Sequence, residues 1–97
     1  MKTENMISTN GNKVANQFII TDDNGNKVFQ SYSSIIVKVS KKIPPRNGNQ
    51  IFLDKKYWNY SNTTGKYRNI FLNETIKDTR KKIKSGEYKL TDLNGGI

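Results

Sequence analysis

A short segment, Asn10-Gly11-Asn12-Lys13-Val14, returns unchanged as Asn24-Gly25-Asn26-Lys27-Val28 and nearly so as Asn47-Gly48-Asn49-Gln50-Ile51. Asn-Gly is the pair best suited to a tight hairpin turn, because both residues enter the left-handed region at little cost. Each copy hands over to a β-branched residue where a strand would begin. The pattern therefore restricts the first half of the chain to short strands joined by tight turns. The copies begin at residues 10, 24 and 47. That unequal spacing points to one turn solution used three times, not to a structural repeat or a duplicated ligand loop.

The strands between these turns follow from alternation and β-branching. Gln17 to Thr21 is the first, Lys27 to Tyr32 the second and Ser34 to Val39 the third. In the third, Ile35, Val37 and Val39 fall on one face, and Ile36 with Lys38 on the other. Gln50 to Leu53 makes a fourth. The tract 41–48, with Pro44 and Pro45, reads as a loop, since proline removes a ladder donor and fixes φ. Short connections favour an antiparallel meander.

The second half is helical in character. Asn62 or Thr63 suits a helix start, and Gly86 suits a helix-ending glycine. On one continuous helix, Tyr67, Phe71, Leu72, Ile76 and Ile83 share half of the wheel. Lys66, Lys77, Arg80, Lys81 and Lys84 gather opposite. Ile70 falls among the basic residues, which marks Asn73 as the place for a break into a helix ending at Leu72 and a second from Glu74 to Lys84. Tyr88 and Leu90 suit a last short strand. The expected fold is α+β: an antiparallel sheet of about four strands packed against a C-terminal helical segment. Its parts are an N-terminal arm or edge hairpin (1–14), a β-meander (15–54), an aromatic and basic helical part (55–90) and a frayed tail (91–97), all in one domain of 97 residues.

Charge narrows the function. Residues 55–89 hold ten of the seventeen basic residues against three acidic ones, +7 of the net +9. Four tyrosines, the one tryptophan and a phenylalanine are threaded through the same run. Basic side chains attract a polyanion from a distance, and aromatic rings offer bases a surface to stack on. Lys55, Lys56, Lys66, Arg68, Lys77, Arg80, Lys81 and Lys84 are the candidate cations, and Tyr57 the candidate stacking ring. Trp58 and Tyr60 are either the largest pieces of a small core or a second contact pair. The expected partner is a nucleic acid or an acidic or nucleoprotein surface.

The chain contains no cysteine and no histidine. A neutral-pH general base, a nucleophile paired with histidine and ordinary zinc ligation are thereby removed. The eight carboxylates form no magnesium-binding cluster. A non-enzymatic protein with no cofactor and no metal is expected. No stretch resembles a signal peptide or a membrane span, so a cytoplasmic location is expected.

Three runs carry a family resemblance: Phe29 to Ile36, then Ile51 to Ser61 continuing through Thr63 to Leu72, and finally Lys84 to Leu90 with Leu93-Asn94. Over residues 10–94 the chain resembles a family of small proteins carried by bacteriophages and other mobile elements. The resemblance implies no catalytic residue. It implies an accessory role, including an inhibitor of host defence of the anti-CRISPR kind acting on protein or guide RNA, or a structural, morphogenetic component. The Pro44-Pro45-Arg46 loop departs from the more compact connection that the resemblance implies.

Overall fold

The computed structural model describes residues 1–41 and 49–95. Its strands are β1 (Lys2–Ile7), β2 (Lys13–Thr21), β3 (Lys27–Ser31), β4 (Ser34–Lys41) and β5 (Asn49–Asp54). Two helices follow, α1 (Asn62–Leu72) and α2 (Ile76–Ser85), and then β6 (Tyr88–Thr91). The strands form one sheet in sequence order, antiparallel from β1 to β5, with β6 parallel to β5.

The α+β class and the meander are as expected; the strand count and the purely antiparallel sheet are corrected. β1 is too polar to show an apolar alternation. It is nevertheless fixed by the buried Met6 and by Asn5 Nδ2 donating to the Val14 carbonyl at 2.9 Å. Its charges, Lys2 and Glu4, suit an outermost strand that must resist pairing with another chain. The edge hairpin is β1 with β2, and it runs on to Thr21. β6 lies parallel because residues 55–87 carry the chain back to the end of the sheet where β5 began, and parallel strands require such a crossover.

The two described Asn-Gly segments do turn hairpins, by three-residue loops instead of two. The Gly11 N–H donates to Ser8 O at 2.9 Å and Ser8 N–H to Asn12 O at 2.8 Å. Gly25 to Asp22 and Asp22 to Asn26 repeat the pattern at 3.2 and 3.0 Å. Only the glycines are left-handed, at φ 83° and 86°, so Asn10 and Asn24 keep negative φ. One αL residue after an ordinary turn is the usual three-residue solution. The Asp22 carboxylate tightens the second loop by accepting from the backbone of Asn24 and Asn26, both at 2.9 Å. Asn47-Gly48 and the Pro44-Pro45-Arg46 loop lie outside the described residues.

One face assignment is corrected. Phe29 pairs with Val37, but the next residue, Gln30, pairs with Ile35. Ile36 is therefore the extra residue of a β-bulge, and both Ile36 and Val37 are fully buried. The bulge puts Ile35 on the far face, beside Ile20, Val28, Lys38 and Leu93. On the near face Met6, Phe29, Val37, Leu53 and Tyr88 meet the helices, with Phe29 and Phe71 rings stacked at 5.8 Å.

The helical part breaks at Asn73, which takes φ 55° and ψ 49° and ends α1. Ser61 caps α1, one residue before the expected start, by accepting the Thr64 N–H at 3.1 Å. Thr75 caps α2 by accepting the Asp78 N–H at 3.3 Å, and Gly86 closes it at φ 86°. The tail is not frayed at residues 91–94. Leu93 N–H donates to Asp54, and Asn94 both accepts from the Ile35 N–H at 2.7 Å and donates to its carbonyl at 3.0 Å. Among the described residues no helix is long and apolar enough to cross a membrane.

Candidate functional site

The aromatic turn after β5 is organised by one carboxylate. Asp54 is 1% exposed and accepts from the N–H groups of Lys56 at 3.0 Å, Tyr57 at 2.8 Å and Leu93 at 2.9 Å. Burial by itself pushes this carboxyl up, but the backbone donors of Leu93, Tyr57 and Lys56 outweigh it and hold it below its ordinary value. Asp54 therefore fixes the turn and contributes little field outside. Lys55 and Lys56 project from it, both exposed.

The rings are sorted differently from the sequence reading. Tyr57, the expected exposed ring, is half-buried against the core, as is Trp58. Tyr60 is 49% exposed and meets Tyr57 edge-on, with centroids 5.5 Å apart. Strand alternation does not apply to a turn, so Tyr57 and Tyr60 meet instead of diverging. Lys56 Nζ lies 5.4 Å from the Tyr57 ring centroid, within cation–π range.

Arg68 is corrected outright as a surface cation: it is 1% exposed. Its guanidinium donates to the Trp58 carbonyl at 2.7 Å, Asn59 Oδ1 at 3.0 Å and Asn69 Oδ1 at 3.0 Å. It also lies 5.3 Å from the Trp58 ring centroid. Burial and the nearby charge of Arg80 lower its proton affinity, with Glu74 acting in the opposite sense. Arg68 thus ties the aromatic turn to α1 from inside. Nothing in Lys66-Tyr67-Arg68 distinguishes the buried cation from its exposed neighbour Lys66, because the acceptors arrive from Trp58 and Asn59.

On α2 the expected cations do converge. Lys77, Arg80, Lys81 and Lys84 are all exposed and follow an i, i+3, i+4, i+7 spacing, which is one helix face. Two of the acidic residues beside them are engaged elsewhere, while Glu87, past the end of α2, is exposed. Asp78 belongs to the Thr75 cap, accepting that hydroxyl at 3.2 Å. Glu74, its side chain 6% exposed, turns inward and accepts from Lys82 Nζ at 2.8 Å, the Tyr88 hydroxyl at 2.6 Å and the Thr79 hydroxyl at 2.5 Å. Burial opposes ionisation of Glu74, but these donors outweigh it and its carboxyl sits below the ordinary value. Among the described residues no salt bridge reaches Lys77, Arg80, Lys81 or Lys84; the paired cation of α2 is Lys82.

Sequence reasoning missed Tyr60 as the exposed ring, and missed Tyr32, which is 51% exposed. Tyr32 offered a faint signal: it stands in Ser31-Tyr32-Ser33-Ser34, a polar turn where a large ring is out of place.

A mixed six-stranded sheet backed by two helices, one of them presenting an unneutralised basic face, defines a small α+β protein with a cationic helical surface. Residues 1–88 match a family of unknown function (DUF8033), and the chain belongs to that family. No curated protein and no solved structure matches the chain. The family carries no assigned activity, so the expectation of a mobile-element accessory role gains nothing from it.

Proposed function

We propose that this protein is a non-enzymatic binder of single-stranded nucleic acid, with the α2 face as its phosphate-contacting surface. The observation that carries the reading is the fate of the two carboxylates at the start of α2. Glu74 is turned inward and Asp78 is held in a helix cap, so Lys77, Arg80, Lys81 and Lys84 face outward and form no ion pair among the described residues. Lys55, Lys56 and Lys66 extend the positive field to the aromatic turn. A solubilising helix face would interleave acids at i, i+4 and reduce that field.

Anisotropy of labelled single strands across a salt series tests it. Each phosphate neutralised contributes about 0.7 to the slope of log K against log salt on single strands. Replacing Arg80 and Lys81 together by glutamine should therefore flatten the slope by about 1.4. Tight binding whose salt slope ignores this double change would remove α2 from the interface.

A further inference from the structure

Two half-exposed tyrosines, Tyr32 and Tyr60, follow and precede residues bonded at the start of α1, the end away from α2. Tyr32 occupies a two-residue turn between β3 and β4 with φ 56°, a region that bulky L-residues avoid. Its backbone is clamped there. The Tyr32 N–H donates to Asn16 O at 2.7 Å, and Gln30 Nε2 donates to the Tyr32 carbonyl at 2.7 Å. Glycine or asparagine would satisfy this backbone with less strain. The ring does little for the core, being half exposed, so folding alone gives no reason for tyrosine here.

Tyr60 is the second half-exposed ring, and buried chemistry brings the two segments together. Ser31 Oγ lies 3.0 Å from Thr64 Oγ1, and Ser61 Oγ donates to the same Thr64 Oγ1 at 3.0 Å. Tyr32 adjoins one end of this hydroxyl chain and Tyr60 the other. Between residues 24 and 73 the sole acidic residue is Asp54, and it is buried. Exposed Lys55, Lys56 and Lys66 belong to the same stretch. Beneath this surface Arg68 ties Trp58 and Asn59 of the aromatic turn to α1.

We infer that Tyr32 and Tyr60 form a stacking site for unpaired nucleobases, reached by the same strand whose phosphates follow the cationic surface. The inference rests on the nucleic-acid reading above and adds to it the two rings that would give it a preference for unpaired bases. Strain retained at an exposed aromatic, where a smaller residue would fit better, is what a contact residue leaves behind.

The test uses the full chain with an oligodeoxynucleotide carrying 2-aminopurine, whose fluorescence is quenched on stacking, and a duplex of equal length. Wild type should bind the single strand more tightly and quench the probe. Tyr32→Asn and Tyr60→Ala should each weaken single-strand binding about 5- to 150-fold while duplex affinity changes less than about twofold. Tyr60→Phe keeps the ring and should keep the affinity. Tyr32→Asn should also leave the melting temperature unchanged or raise it by roughly 4 °C, so lost binding cannot be ascribed to lost folding. A Tyr32→Asn protein that melts several degrees lower overturns the strain argument. Variants that bind single strands like wild type, while the α2 double variant does not, overturn the stacking site and leave the polyanion reading standing. Wild type that binds no nucleic acid at low salt overturns both.

Discussion

Glu74 is the residue on which the helical layer depends, and Glu74→Gln is the substitution that tests this. Its carboxylate joins two segments: Lys82 and Thr79 of α2 and Tyr88 of β6 all donate to it. A glutamine can keep one oxygen for Lys82 and Tyr88 but presents an NH₂ to Thr79, whose hydroxyl must then give its proton to the Thr75 carbonyl, so the charge-assisted Thr79 bond is lost. Hydrogen bonds to a charged group contribute about 1.5–3 kcal/mol each. Lys82 is 35% exposed and recovers part of its share from water, whereas Tyr88 is 4% exposed and does not. One bond lost outright and others weakened to neutral strength give a cost of about 2–4 kcal/mol. For a domain of this size that lowers the melting temperature by roughly 10–25 °C.

The sign with pH follows from the same contacts. Glu74 has its carboxyl held below the ordinary value of 4.5 in the fold. Its contribution is therefore fully present above that ordinary value and is lost as pH falls through the folded one. Burial and the Glu74 hydrogen bond push the Tyr88 hydroxyl up from 10.0 to about 12. A phenol so raised contributes stability below its unfolded value, and that contribution is lost as pH rises from about 10 toward 12. Urea unfolding of wild type and Glu74→Gln, followed from pH 7 downward, should show a gap that closes in acid. A gap below about 0.5 kcal/mol at pH 7, within the range of ordinary surface substitutions, would refute the argument. So would a gap that stays constant into acid.

Two further outcomes follow from burial. Arg68→Ala should cost about 3 kcal/mol or more, because it opens a cavity and strands the acceptors at Trp58, Asn59 and Asn69. Arg80→Ala should stay within about 0.5 kcal/mol, and equal losses in denaturant titration would contradict the placement of the two arginines. Gln17 is fully buried with neither side-chain amide atom bonded to protein. Gln17→Met should therefore stabilise the fold by about 1 kcal/mol, and a loss of that size by thermal unfolding would show that the amide is engaged.

What the sequence determined on its own is the set of features written in local backbone preference. Asn-Gly placed the first two hairpins, Asn73 the break between helices and Gly86 the end of the second, because left-handed φ is a property of one residue and its neighbours. The basic face of α2 was legible too, since helical spacing alone collects Lys77, Arg80, Lys81 and Lys84. Tertiary structure decided everything that needed a distant partner. Arg68 is buried because Trp58 and Asn59 supply its acceptors, and Lys82 is paired because Glu74 turns inward from beyond the helix start. Ile36 reaches the core through a bulge that only the register against Phe29 reveals. β6 lies parallel to β5 because a two-helix crossover returned it there, and Tyr60 is exposed because a carboxylate at Asp54 folded the intervening turn. A side chain's exposure is set by what packs over it, and the packing comes from residues far away in the chain.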